Sequence, residues 1–222
     1  MTSHTPRLVI IGGGNMGTAL VSGLVANGWE ASSITVVELD ADKRSSLEST
    51  FGVRTSATVV AGDGALIAVK PGDAAAVCAS AAALGIPRVL SIAAGISVAT
   101  LQDAAGATTA AVRAMPNTPA LVGEGVSAIC GSAQCTEEDL SWAESLLSAV
   151  GIVVRVDEAH MDVVTAVAGS GPGYLFLIAE SLFDAALAEG LPAGIADALV
   201  RQLFKGAGIL LAESKESPAT LR

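Results

Sequence analysis

Gly12, Gly14 and Gly17 follow the spacing Gly-x-Gly-x-x-Gly, and of all the residues here they carry the sharpest chemical signal. Such spacing suits a pyrophosphate. The first glycine permits a tight strand-to-helix turn, the second lets backbone approach the phosphates, and the third lets the helix pack close to a sheet. A helix opening at Asn15 and Met16 aims its free N–H groups and positive dipole end at the anion. The context fits. Leu8 to Ile11 is a short apolar run ahead of the glycines, and Glu38 follows them by about 20 residues, the place of the ribose-binding acid in a dinucleotide fingerprint. A carboxylate there accepts hydrogen bonds from a ribose 2′-hydroxyl and repels a 2′-phosphate, which leans the expected cofactor, NAD(P)H, towards NADH. Lys43 and Arg44 lie just beyond. They either offset that preference or form a solvated helix face, the more ordinary role for two such bases.

Other polar residues each carry two readings. Lys70, before Pro71, either attracts cofactor phosphates or a substrate carboxylate, or keeps its head in water. Arg113 shares the stretch from residue 72 to 154 with no other base but Arg88. It either clamps a carboxylate bidentately or pairs internally and positions the loop from Met115 to Pro119. Asn117, between Pro116 and Pro119, offers a donor and an acceptor to a carboxamide or ribose, and asparagine is equally a turn former. His160 reads as a surface helix residue rather than an acid. No His, Cys, Asp or Glu spacing resembles a metal site, so no metal is expected.

Composition removes several function classes. The formal net charge of −10 repels a phosphate backbone, which argues against nucleic acid as partner. Cys78, Cys130 and Cys135 are odd in number and lack ligand spacing, so reduced thiols in a cytoplasmic protein are expected. The apolar run from Tyr174 to Ala179 stops at Glu180, short of the roughly 20 residues a bilayer needs, so no membrane span is expected. Leu8 to Ile11 is likewise shorter than the apolar stretch of about 7 to 15 residues in a signal peptide. With aromatic residues at only 3%, the core must be built from small aliphatic side chains, which suits helices layered on a parallel sheet.

The elements that must position these residues alternate. Strand patterns at 8–11, 34–37, 65–69, 89–92, 109–114, 126–130 and 152–156 interleave with helical ones. Asp40, Asp73, Ser97 and Thr136 are the expected helix caps, and Gly28, Gly52, Gly85 and Gly151 the expected stops. After Asp157 strand signals cease, and 161–187 and 193–213 show helical spacing. The expected fold is α/β: a Rossmann-type doubly wound, mostly parallel sheet over residues 1–158, then a smaller all-α domain over 159–222. The second part is too short to bury its apolar faces comfortably alone, so it is expected to pack against another subunit as a homodimer or larger assembly.

Five blocks in order complete the reading: Ile11 to Gly17, Ala68-Val69-Lys70-Pro71, Ala93-Ala94-Gly95-Ile96, Arg113 to Pro119, and Gly169 to Tyr174. This series resembles the pyrroline-5-carboxylate reductase family from residue 7 to the end of the chain. The resemblance implies a helical C-terminal dimerisation domain and hydride transfer from NAD(P)H to the imine carbon of Δ1-pyrroline-5-carboxylate, giving L-proline in the last step of proline biosynthesis. It implies that Ala68 to Pro71 and Ala94-Gly95 hold the cofactor near its nicotinamide end. It also implies that Glu158 borders the substrate nitrogen, although a first-turn helix acid is the plain alternative. Thr165 and Ser170 would contribute hydroxyls, beside glycines 169, 171 and 173 that interrupt the helical pattern. Two residues depart from the family: Ala168 stands where a Ser is common and Gly173 where an Ala is. The family's Ser-Pro-Gly-Gly-Thr-Thr-like substrate loop would follow the segment matching Glu213 to Arg222. Rival readings are another imine reductase, a hydroxy-acid dehydrogenase, and a non-catalytic dinucleotide sensor. The dehydrogenase needs a catalytic Lys on the long helix, and residues 158–190 contain none.

Overall fold

Leu8–Ile11 forms strand β1 with all four side chains buried, because helices cover both of its faces. Leu8 and Ile10 join one core cluster, Val9 and Ile11 the other. The computed structural model describes residues 7–222. Along the chain follow α1 (Asn15–Ala26), β2 (Ile34–Val37), α2 (Ala41–Phe51), β3 (Arg54–Ser56), β4 (Gly64–Ile67), α3 (Pro71–Ala83), β5 (Arg88–Ser91), α4 (Val98–Ala105), β6 (Ala110–Met115), β7 (Gly125–Gly131), α5 (Glu137–Leu147) and β8 (Gly151–Arg155).

One eight-stranded sheet results, in the order β3-β2-β1-β4-β5-β6-β7-β8. Every neighbouring pair is parallel except β6 and β7. Leu20 and Leu24 of α1, Leu47 of α2 and Leu146 of α5 pack on one face. Ala74, Cys78 and Ala81 of α3 and Leu101 of α4 pack on the other. The small residues of α3 let it lie close to the strands.

Most expected caps hold. Asp40 accepts from the N–H groups of Asp42 and Lys43, Ser97 from that of Thr100, and Thr136 forms a capping box with Asp139. Gly52 closes α2 with a φ of 70°. Asp73 does not cap α3. Lys70 holds the cap position, with Pro71 starting the helix and Asp73 in its first turn. Proline is pre-set for the first helical position, so the helix starts earlier than the acid indicates. Strand β3 has no counterpart in the sequence pattern, being three polar residues on the sheet edge.

The described chain divides into two compact units, one running to Gly169 and the other covering Ser170–Arg222. The first unit ends in a short helical stretch: a single turn at 158–160, α6 (Met161–Val164), then a π-helical turn over Thr165–Gly169. The second unit is all helix: α7 (Gly171–Ala188), α8 (Ala193–Glu213) and α9 (Pro218–Leu221). It leaves much apolar surface bare, with Phe176 66% and Leu203 55% exposed. By length and composition, Glu158–Ala188 is long and apolar enough to cross a membrane. It exceeds the run from Tyr174 to Ala179 because Glu180 and Asp184 lie within α7 rather than ending it.

Candidate functional site

Strand order reverses at β1: β2 and β3 lie to one side and β4 onward to the other. In open α/β sheets ligands bind beyond the carboxyl ends of the strands at such a switch point. Here the two strand ends come very close. Gly12 donates its N–H to Val37 O at 2.8 Å, and Ala68 donates to Ile11 O at 2.8 Å. Gly12 has a φ of +113°, and a Cβ on it would overlap the Ala68 carbonyl. A Cβ on Gly17 would overlap the carbonyl oxygen of Gly12. Two of the three fingerprint glycines are therefore demanded by the fold itself.

Gly14 differs. A Cβ there would meet nothing within 4 Å, and the residue caps α1 with an ordinary extended backbone, φ −74°. It borders a cavity of about 950 Å³. The first N–H groups of α1 have no acceptor within the helix, so this helix start is suited to an anion.

Nine of the residues expected to bind cofactor line that cavity: Gly12, Gly14, Asn15 and Met16 from the glycine turn, Glu38 after β2, Ala68, Val69 and Lys70 after β4, and Ala94 after β5. Gly17, Pro71, Gly95 and Asn117 do not. Gly17 is spent on packing against Gly12, and Pro71 starts α3. Lys43 is exposed and borders the same wall. Thr58, Ser80, Met115 and Pro116 are also among the lining residues, and no local pattern marks the first two as site residues.

The Glu38 carboxylate is held at both oxygens. Oε2 accepts from Gly13 N–H and Oε1 from Asp40 N–H, each at 3.0 Å. Arg44 donates through Nη1 to the carbonyls of Glu38 and Leu39, at 2.7 and 2.8 Å. Its guanidinium thus secures the strand end.

Arg113 takes the internal pairing. Its side chain is only 7% exposed, and Nη1 lies 2.9 Å from Oε1 of Glu158. The same Glu158 oxygen accepts from Val98 N–H at 2.7 Å. Asn117 is also engaged by protein at both ends. Nδ2 donates to Ala168 O at 3.1 Å, and Oδ1 accepts from Val126 N–H at 3.0 Å. Glu158, Thr165 and Ser170 do not line the cavity. Thr165 sits in the π-helical turn and donates its hydroxyl to Met161 O at 2.8 Å, while Ser170 opens the second unit.

Comparison with known proteins decides the family. Curated pyrroline-5-carboxylate reductases match nearly the whole chain. That of Pseudomonas aeruginosa is 40% identical over 98% of this chain and 82% of its own length. That of Mycobacterium leprae is 38% identical over 96% and 76%. The chain belongs to the pyrroline-5-carboxylate reductase family. Residues 158–222 of this reductase-family chain match the model described as pyrroline-5-carboxylate reductase dimerisation, and residues 7–95 match that of NADP oxidoreductase, coenzyme F420-dependent. A solved pyrroline-5-carboxylate reductase from Coxiella burnetii superposes with a TM-score of 0.90 at 33% identity, covering 99% of this chain and 84% of that one. The Plasmodium falciparum pyrroline carboxylate reductase with NADP bound gives 0.83 at 27% identity, covering 97% and 82%. The chain is thus an oxidoreductase of an NAD(P)-binding family, and the segment that matches the dimerisation model carries the exposed apolar surface of α7 and α8.

Proposed function

We propose that this chain reduces Δ1-pyrroline-5-carboxylate to L-proline with NADH, as a cytoplasmic homodimer. The observation that carries the cofactor reading is the cavity at the switch point, where Gly14 leaves open space against the start of α1. The residues present suit a dinucleotide: Gly14, Asn15 and Met16 at the pyrophosphate, Glu38 at a ribose, and Ala68 to Lys70 with Ala94 towards the nicotinamide. Gly12 and Gly17 shape that turn from behind, and Pro71 and Gly95 shape the two loops. When bound, the nicotinamide supplies the hydride. A protonated imine carries its own electrophilic activation, so the protein's work is orientation and electrostatics. The hydroxyls of Thr165 and Ser170 are the groups proposed to face the substrate. Glu158, proposed near its nitrogen, is tied to Arg113 and acts from there.

The NADH preference rests on Glu38, which lines the cavity while Arg44 is occupied by the carbonyls of Glu38 and Leu39. The homodimer rests on the bare faces of α7 and α8. The cytoplasmic assignment rests on three free cysteines. Steady-state absorbance of NADH and of NADPH, with and without pyrroline-5-carboxylate, tests the activity. Oxidation that depends on this substrate is expected. Binding of NADH without oxidation would mark a sensor instead.

A further inference from the structure

We infer that residues 113–117 act as a two-point clamp, with Arg113, Asn117 and Glu158 as positioning residues that hold the helical stretch 158–169 against the cofactor cavity. This goes beyond the proposed function by giving Arg113 and Asn117 positioning roles and Glu158 an anchoring role besides its proposed place near the substrate, and it rests on that reading of the cavity.

The two anchors sit at opposite ends of the stretch. At its start Glu158 accepts from Arg113 at 2.9 Å; near its end Ala168 O accepts from Asn117 at 3.1 Å. The spacings agree. Four residues of extended chain rise about 13 Å, at roughly 3.3 Å each. Ten residues of helix rise about 15 Å, at 1.5 Å each. An extended strand end and a helix can therefore run side by side and meet at both ends.

The second anchor has a chemical reason. In a regular helix the Ala168 carbonyl would receive the N–H of residue 172, but Pro172 has none, and a proline ring also crowds that carbonyl. A π-helical turn over Thr165–Gly169 precedes it, a feature found often at functional sites. Asn117 supplies the missing donor from 51 residues away. Its other end is fixed by Val126 N–H, so the carboxamide cannot swing. The two segments touch at Gly169, where a Cβ would lie 2.5 Å from Met115 Cε, the far end of a flexible side chain. The first anchor reaches further. Glu158 also accepts from Val98 N–H at the start of α4, directly after the loop that carries Ala94.

Met115 and Pro116, between the anchors, are part of the cavity wall. Thr165 lies between the same anchors on the helical side. The clamp thus makes the wall of the nicotinamide end and the hydroxyl-bearing turn one rigid piece, and sets their separation. Displacement of a reacting group by about 1 Å is enough to cost about 100-fold in rate.

Asn117→Asp keeps an acceptor for Val126 and removes the donor to Ala168. Glu158→Gln keeps an acceptor for Val98 and removes the charge opposite Arg113. Each variant, and the pair together, is compared with wild type by NADH fluorescence titration, by steady-state kinetics with pyrroline-5-carboxylate, and by amide exchange of the NADH-loaded protein. Each single change is expected to lower kcat by about 10- to 100-fold while the NADH Kd stays within about 2-fold. Faster exchange is expected over 158–169. Because both ends serve one strut, the double variant should be little worse than the poorer single one. Unchanged kcat, unchanged exchange over 158–169, a Kd that worsens in step with kcat, or fully multiplicative losses would each overturn the clamp. If wild type binds NADH but does not oxidise it with this substrate, the proposed activity fails. The exchange measurement then still decides the clamp.

Discussion

Replacing Gly14 and Gly17 by alanine, one at a time, separates a glycine kept for a ligand from one kept for the fold. At Gly17 the new Cβ overlaps the Gly12 carbonyl oxygen, which is backbone and cannot rotate away. The start of α1 must move off β1, and overpacking of this kind costs about 1–3 kcal/mol. At Gly14 the Cβ meets nothing within 4 Å and the backbone is in a region open to alanine. Alanine there restricts the unfolded chain, a gain of about 0.4–1 kcal/mol. It is a poorer cap than glycine by a similar amount, about 1 kcal/mol, so the two nearly cancel. The cost falls on binding instead. Loss of one hydrogen bond to a charged phosphate oxygen is worth about 1.5–3 kcal/mol. At 1.36 kcal/mol per tenfold, that weakens the NADH Kd by about 10- to 150-fold. Urea denaturation and NADH fluorescence titration on both variants read the two quantities separately. Wild-type affinity in Gly14→Ala would refute the assignment of the cavity to the pyrophosphate. A stability loss as large as that of Gly17→Ala would refute the steric reasoning.

Glu38→Ser should move the NADH-to-NADPH ratio of kcat/KM towards NADPH by at least about tenfold, from relief of charge repulsion and loss of ribose hydrogen bonds. An unchanged ratio means that Glu38 serves only Gly13 and Asp40. Burial pushes the thiols of Cys78 and Cys130 up to about 11, so iodoacetamide at mildly alkaline pH should label the partly exposed Cys135 first. The other two should react only as the protein unfolds, and mass spectrometry of the labelled peptides checks the order. Hydrogen bonds from Arg155 lower the carboxyls of Glu137 and Glu144 below their ordinary value. Carboxyls lowered by folding stabilise above their unfolded pKa and lose that contribution as pH falls through the folded one. Arg155→Gln should therefore be slightly less stable than wild type near neutrality, and the two should converge in acid; a gap that persists at about pH 2 contradicts the sign. On the proposed dimer, Phe176→Asp, on the bare face of α7, should lower the mass by light scattering from that of a dimer to that of a monomer, and an unchanged mass would remove α7 from the interface.

Features that depend on a few consecutive residues were legible in the sequence. The run Leu8–Ile11, the glycine turn, and the caps at Asp40, Ser97 and Thr136 are settled by bonds or packing within about a helical turn of themselves. Glu38 was legible because its distance from the glycines is set by one helix and one strand. Asp73 misled because acids cap helices often, yet Pro71 claims the first turn. Strand β3 escaped because three polar edge residues bury no face. What pairs across long stretches of chain was decided only by the tertiary structure. The antiparallel run of β7 against β6 depends on how the chain turns between them, not on side-chain period. Thr58 and Ser80 reach the cavity wall because the strand order carries them there. Arg113 finds Glu158 across 45 residues, and Asn117 finds Ala168 across 51. For both polar side chains the sequence offered a ligand or the protein itself as partner, and chemistry alone could not choose. Buried donors and acceptors must be satisfied by whatever the folded chain brings within reach, and that is a property of the packed molecule, not of any local stretch.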